Sequence, residues 1–505
     1  MKKGFVYLVG AGPGRADLIT VRGAEVLRIA DCVIYDKLAN PALLHCARKD
    51  AEILHVPKRI GKGACTQDQI NRVLVEKAQS GKTIVRLKGG DPCMFGRVAE
   101  ELTVLIEAGI GFEIVPGVTA AVAASSYTGI LMTDREYSSQ VTFITGREAA
   151  GKDQSNIDWS VLAKFPGTIV FYMGIGSLES IAQRLTENGK PADTPIAIIA
   201  NATFPTQRVL RSTLERVSDE CKKQKIEPPA LVVIGDAANS DARFDWFMKK
   251  PLFGQSIVMT RDATGNAAFA AKIVSRGGNP ISFPTIRITS LTESNEFLRA
   301  LGKFHQYDWI VFTSGNGVAI FFEALQKLGK DARVFGPTKV AAIGSMTAAK
   351  LTDFGLTADF VPDVFTGKEL GRQLIRSTNV HGKKFLLLRS QIASDELVDI
   401  LVRGGAEVDD VAVYTAKPVE DDSSSLVEAI RNGTVDYVAF ASPSSVDAFF
   451  ERIDVRSFRS SGIKAASIGP VTSERLEQFG IIAQITAKEH TLDGLLDAIE
   501  ENGVR

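Results

Sequence analysis

The chain has 505 residues, enough for roughly three domains at about 150 residues each. Hydrophobic residues make up 45% and charged residues 23%, which is ordinary globular usage and excludes a disordered, collagenous or coiled-coil chain. Lys+Arg and Asp+Glu both number 59, so the net charge is zero; that weighs against nucleic-acid binding but leaves room for a local basic cluster on a small anion.

The five cysteines, Cys32, Cys46, Cys65, Cys93 and Cys221, form no CxxC pair, and only five histidines are present. A disulfide framework and a metal site are therefore not expected, and a reducing cytoplasm is. Met1-Lys2-Lys3 precedes a short apolar run, Phe5-Val6-Tyr7-Leu8-Val9, that ends in Gly10-Ala11-Gly12-Pro13-Gly14. This reads as a first strand entering a turn, not as a secretory leader, and no apolar run reaches membrane-span length.

Strands are predicted in chain order at 5–9, 31–35, 83–87, 141–145, 168–172, 195–200 and 230–234. Others follow at 256–260, 309–313, 340–343, 384–388, 436–440 and 465–468. Amphipathic stretches separate most of them, which predicts α/β architecture with mainly parallel pairing. A polar stretch ending in Pro251-Leu252-Phe253-Gly254 marks the main boundary, within 236–254.

The second half repeats itself loosely. Arg261 with Arg276-Gly277-Gly278 echoes Arg389 with Arg403-Gly404-Gly405. Val311 to Val318 echoes Ala439 to Val446, and Ile343-Gly344 echoes Ile468-Gly469. This order predicts two similar α/β lobes.

The first glycine loop lies between a strand and a helix, and Asp36 follows Gly14 by 22 residues. That mimics a dinucleotide fingerprint. Arg15 stands where a small residue is wanted, however, and Pro13 lacks a phosphate-binding N–H. A second loop, Gly89-Gly90-Asp91-Pro92, follows a strand and joins Phe95-Gly96-Arg97. A third, Pro116-Gly117-Val118-Thr119-Ala120, repeats the pattern.

Together, Val6 to Gly14, Val85 to Pro92, Pro116 to Ala120, Val141 to Gly146, Phe171 to Gly174 and Pro229 to Gly235 resemble uroporphyrinogen-III C-methyltransferase over about residues 4–236. The resemblance implies S-adenosylmethionine as donor, held between two α/β lobes. By position it places donor contacts on Pro13, Gly89, Gly90, Asp91, Met94, Thr119, Ala120, Met173, Ala202 and Ala230. It implies Asp36 as proton acceptor, Lys58 as proton donor, and a homodimer through this half. Arg15, Met94, Ala202 and Val98-Ala99 depart from the family's usual residues. Lys58, Arg59, Lys62, Arg97, Arg135 and Arg147 are candidates to hold the substrate's carboxylate arms.

From Ser256 onward the residues alone describe a two-lobed module with no visible nucleophile–base pair. Ile257 to Arg261, Phe312 to Asn316, Ala342 to Thr347, Val413 to Thr415, Phe440 to Pro443 and Ile468 to Thr472 resemble uroporphyrinogen-III synthase over about 254–500. The resemblance implies hydroxymethylbilane in the cleft and no cofactor. It makes Tyr414 the candidate acid for the departing hydroxyl. Ser314, Thr347, Ser442 and Thr472 sit at strand-end turns and are candidates to bind substrate carboxylates, though Ser and Thr there also serve as helix caps.

The expected fold is therefore α/β: a two-lobed tetrapyrrole-methyltransferase fold followed by a two-lobed uroporphyrinogen-III synthase fold. The expected domains are 1–240, a linker at 241–253, and 254–505 with lobes at 254–287 plus 418–505 and at 288–417. The expected activity is ring closure of hydroxymethylbilane to uroporphyrinogen III with inversion of ring D, then two methylations to precorrin-2. The alternative is an NAD-dependent oxidoreductase fused to a two-lobed ligand-binding module. No nucleic-acid or membrane partner is expected.

Overall fold

A computed structural model describes residues 3–56, 66–148, 156–419 and 423–503. The chain parts into two compact units, with the main division between Ser256 and Ile257. The candidate proton donor Lys58, with Arg59 and Lys62, lies outside the described residues.

The first sheet comprises β1 (Phe5–Gly10), β2 (Cys32–Tyr35), β3 (Glu52–His55), β4 (Thr83–Lys88) and β5 (Gly111–Val115), in the order β3-β2-β4-β1-β5. Every pairing in it is parallel. Side chains alternate between faces along a strand. Val6 and Leu8 thus meet Ile70, Leu74 and Leu105 of helices Gln67–Gln79 and Val98–Glu107. Val9 meets Val26 and Leu27 of helix Val21–Ile29 on the other face. The chain leaving β1 and the chain leaving the adjacent β4 therefore depart to opposite faces. That opens a crevice at their carboxyl ends, where open α/β sheets bind ligands.

The second sheet comprises β6 (Val141–Thr145), β7 (Thr168–Tyr172), β8 (Pro195–Ala200), β9 (Arg208–Thr213) and β10 (Ala230–Ile234), in the order β6-β7-β10-β8-β9. Only β6 and β7 pair in parallel. Mainly parallel pairing was expected, and this sheet departs from it: β10 enters antiparallel between β7 and β8, and β9 returns beside β8. The reversal has a consequence for the site: it brings the start of β10 to the same edge as the ends of β7 and β8.

The polar stretch after β10 is packed. Ala237, Ala238 and Phe247 are buried, Tyr127 meets Phe247 edge-on at 4.9 Å, and Trp246 Nε1 donates to the Ser126 carbonyl at 2.8 Å.

The second unit carries two more five-stranded sheets. Its strands are β11 (Ser256–Met259), β12 (Asn279–Ser282), β13 (Ile286–Ser290), β14 (Trp309–Phe312), β15 (Lys339–Ala342), β16 (Lys384–Ser390), β17 (Glu407–Pro418), β18 (Tyr437–Phe440), β19 (Lys464–Ser467) and β20 (Ile485–Thr486). One sheet runs β12-β11-β18-β19-β20 and the other β13-β17-β16-β14-β15. The antiparallel pair β13 and β17 holds Ile286 opposite Pro418 and Ser290 opposite Tyr414.

The two sheets are alike, but each copy of the sequence repeat is split between them. Arg261 follows β11 in the first sheet, whereas Val311 and the turn after Ala342 belong to the second. In the later copy Arg389 is on β16 of the second sheet, and Ala439 and Ile468 are in or just beyond β18 and β19 of the first. No helix among the described residues is long and apolar enough to cross a membrane.

Candidate active sites

Three loops of the first sheet meet at its carboxyl edge. Gly90 N–H donates to the Gly12 carbonyl at 2.7 Å, and Gly12 N–H returns a bond to Gly90 at 3.2 Å. A Cβ on Gly117 would lie 2.3 Å from the Gly90 carbonyl oxygen and 2.8 Å from Gly10 Cα, so only glycine permits this approach. Gly90 has φ of +69°, and a Cβ there would meet nothing nearer than 3.8 Å. Its backbone therefore faces open space.

Asp91 was expected to touch the donor. Its Oδ1 accepts from Cys93 N–H at 2.8 Å and its Oδ2 from Gly117 N–H at 3.0 Å, which ties the second loop to the third. Each carboxylate oxygen keeps a further lone pair for an ammonium or hydroxyl group.

The second sheet supplies the opposite wall. Leu231 pairs with Tyr172 and Ala230 with Ala200, so the segments at Met173, Ala202 and Ala230 share one edge. Tyr172 Oη lies 2.7 Å from Thr119 Oγ1 and accepts from Ala121 N–H at 3.2 Å. Phe95 packs on the same ring at 5.0 Å. Thr203 Oγ1 accepts from Arg15 N–H at 3.1 Å and so ties the first loop to the turn after β8. Met94, Ala120 and Ala202 pack against a single apolar cluster. Pro13 is partly buried in the first turn, and Met173 is half exposed.

Five of the six described non-glycine residues with left-handed φ lie on these loops: Phe95, Arg97, Met173, Asn201 and Thr203. Such conformations cost of order 1–3 kcal/mol each and concentrate at ligand clamps. Open glycine backbone, an apolar wall and a carboxylate with spare lone pairs fit a nucleoside carrying an amino-acid tail. Nothing local in the sequence marks Tyr172 or Thr203, because their partners Thr119 and Arg15 lie far away along the chain.

Beneath the crevice is a buried charge network. Arg86 is fully buried; its Nε donates to Glu101 Oε1 at 3.2 Å, and its Nη2 lies 3.5 Å from Asp36 Oδ2. Lys88 Nζ donates to Glu101 Oε2 at 2.7 Å, and Gln67 Nε2 to Oε1 at 3.2 Å. Burial pushes the Glu101 carboxyl up, but the charges of Lys88 and Arg86 outweigh it and hold the group below the usual carboxylate range. Asp36 is thereby oriented by Arg86, and Leu38 N–H donates to its Oδ1 at 3.2 Å. A signal was present in the sequence: two cations, Arg86 and Lys88, alternate on one face of an otherwise apolar strand.

Arg97 is paired with Glu100, whereas Arg135 and Arg147 are exposed. Arg15, a departure from the family pattern, donates through Nε to Asp17 at 2.8 Å and lies 5.9 Å from the Tyr127 ring.

In the second unit Tyr414 Oη lies 2.9 Å from Ser314 Oγ. Ser314 also caps helix Gly315–Lys327 by accepting from Gly317 N–H at 3.0 Å. Tyr414 is 8% exposed, its ring set in the core of its lobe. Ser442 caps helix Pro443–Phe450 with the Ser445 N–H at 3.2 Å. Thr347 and Thr472 are buried in the first turns of helices Ser345–Thr352 and Pro470–Gln478. Ser314 and Tyr414 are thus brought together, and Ser314 and Ser442 act as caps. Among the described residues no cluster of His, Cys, Asp or Glu could hold a metal ion.

The tetrapyrrole (corrin/porphyrin) methylase family matches residues 6–218. The uroporphyrinogen-III synthase HemD family matches residues 267–497. The chain is 37% identical over 503 residues to the porphyrin biosynthesis protein HemD of Ruminiclostridium josui, covering 100% of this chain and 99% of that one. The chain belongs to this fused methylase–synthase family.

It is 45% identical over 236 residues to the S-adenosyl-L-methionine-dependent uroporphyrinogen III methyltransferase of Methanosarcina barkeri, covering 47% of this chain and 92% of that protein. A solved structure of uroporphyrin-III C-methyltransferase from Thermus thermophilus, complexed with S-adenosylhomocysteine, is 34% identical; it covers 47% of this chain and 99% of that one, with a TM-score of 0.41. The fused protein is a bifunctional enzyme of tetrapyrrole biosynthesis, with a methyltransferase half and a synthase half. This assignment sets aside the dinucleotide reading of Gly10 to Gly14 and Asp36.

In the methyltransferase half, Asp91→Ala should weaken S-adenosylmethionine binding about tenfold, the effect of losing one charge-assisted hydrogen bond of about 1.5 kcal/mol. Titration calorimetry on the full chain checks this; an unchanged dissociation constant would remove Asp91 from the donor site.

Proposed function

We propose that the synthase half converts hydroxymethylbilane to uroporphyrinogen III, inverting the last ring. The methyltransferase half then methylates that product twice to precorrin-2. When bound, S-adenosylmethionine supplies an electrophilic methyl group. The observation that carries the methylation reading is the convergence of the three loops at Gly10, Gly90 and Gly117 opposite Met173 and Ala202.

The chain's own residues divide the work. The glycine backbone and the Tyr172–Thr119 contact shape the donor wall and exclude water. Asp36, held by Arg86, takes the proton released as a pyrrole carbon is alkylated. Pro13, Gly89, Gly90, Asp91, Met94, Thr119, Ala120, Met173, Ala202 and Ala230 line the donor site in this reading, and Lys58 is the proton donor. In the synthase half Tyr414, held by Ser314, protonates the leaving hydroxyl. The turns at Ser314, Thr347, Ser442 and Thr472 receive carboxylate arms. The protein works in the cytoplasm as a homodimer through its methyltransferase half. It acts in two domains, 1–240 and 254–505.

One coupled assay tests the whole reading. Supplied with hydroxymethylbilane and S-adenosylmethionine, the full chain should form a dimethylated product; without the donor it should stop at uroporphyrinogen III. Accumulation of uroporphyrinogen I alone would overturn the synthase assignment, and uroporphyrinogen III unmethylated in the presence of donor would overturn the other.

A further inference from the structure

The two copies of the repeat treat their shared arginine differently. Arg389 is 4% exposed on its side chain and locked: its Nε and Nη2 both bond Asp410, and Nη2 lies 3.3 Å from Asp395. In the other copy the positions matching Asp395 fall on Ala267 or Ala268, and those matching Asp410 on Ser282 or Phe283, depending on where the one-residue shift is placed. None is acidic. The Arg261 guanidinium accordingly has no hydrogen-bond or ion-pair partner among the described residues, although the residue is partly buried.

The surroundings of Arg261 keep it available. A Cβ on Gly265 would lie 2.8 Å from Arg261 Nε and 3.0 Å from Cζ, so the missing side chain at Gly265 leaves the space that the guanidinium occupies. The adjacent Asp262 is engaged in accepting from Gly265 N–H at 3.1 Å. Met259 pairs with Ala439 on the neighbouring strand. Arg261 and Ser442 therefore leave the same carboxyl edge on adjacent strands.

A guanidinium that bonds no protein group is open to a ligand's anion, and its planar fork matches a carboxylate. We propose that Arg261 anchors one carboxylate arm of the polyanionic substrate in the synthase half. The duplicated arginine thus serves structure in one lobe and binding in the other. The inference rests on the synthase reading above.

The test is steady-state synthase kinetics with hydroxymethylbilane on the full chain and on its Arg261→Ala, Arg261→Gln and Arg261→Lys variants. Arg261→Ala and Arg261→Gln should raise KM about tenfold, with kcat within about threefold of the parent. Arg261→Lys should recover much of that loss, and melting temperatures should stay close to the parent's. An unchanged KM in whichever neutral variant folds would overturn the proposal, as would a fall in kcat alone. If the parent chain itself fails to close hydroxymethylbilane, the synthase reading falls instead, which separates the two failures.

Discussion

Glu101→Ala is expected to destabilise the methyltransferase half by about 3–5 kcal/mol, the range found when one partner of a buried ion pair is removed. Glu101 is fully buried and bonds Arg86 and Lys88, which are 0% and 2% exposed. Without it, Asp36 at 3.5 Å is the remaining anion beside the Arg86 guanidinium among the described residues. For a unit of this size the loss lowers the unfolding temperature by about 10 °C, and calorimetry of the full chain reads it directly.

The same group sets a pH dependence. Its carboxyl is held below the usual range, so the folded state gains stability that is complete above the ordinary carboxylate pKa and is lost as pH falls through the depressed value. The gap between parent and variant should therefore narrow in acid. A midpoint unchanged at neutral pH would show that the cations find other compensation. Methylation should fall as well, because Arg86 would no longer be fixed to orient Asp36.

Tyr414→Phe is expected to slow closure of hydroxymethylbilane by roughly 10²-fold, the usual scale for losing a positioned acid. The variant should fold normally, since the ring keeps its place in the core and loses only the bond to Ser314. Ser314→Ala gives a useful contrast. It removes a helix cap worth about 1 kcal/mol and frees the phenol without deleting it. Its stability should drop more than that of Tyr414→Phe, and its rate should drop less. A fully active Tyr414→Phe would mean that the cleft works by holding the substrate's conformation.

The glycine turns of the first unit were legible in the sequence because their requirements are local. Gly10, Gly90 and Gly117 are needed where backbones touch or turn left-handed, and such needs leave fixed motifs in a chain. The repeat in the second half was legible for a related reason: strand, turn and helix signals recur in order. Strands with weak signals were not. β12 carries Pro280, β5 opens on Gly111, and β17 begins Glu407-Val408-Asp409-Asp410, none of which reads as a buried run.

Tertiary structure alone decided the rest. Antiparallel β10 places Ala230 beside Ala200, although nothing in either segment states a direction. Tyr172 meets Thr119 across 53 residues, and Arg86 meets Asp36 across 50, because separate loops and strands end at one edge. Nothing in the repeat itself divides it between two sheets; only the family resemblance implied lobes at 254–287 plus 418–505 and at 288–417. Spacing along a chain records what each turn and strand requires locally, whereas sheet order determines which distant side chains share a burial site. That is why the matched arginines Arg389 and Arg261 look equivalent in sequence, and only the fold shows one paired and the other open.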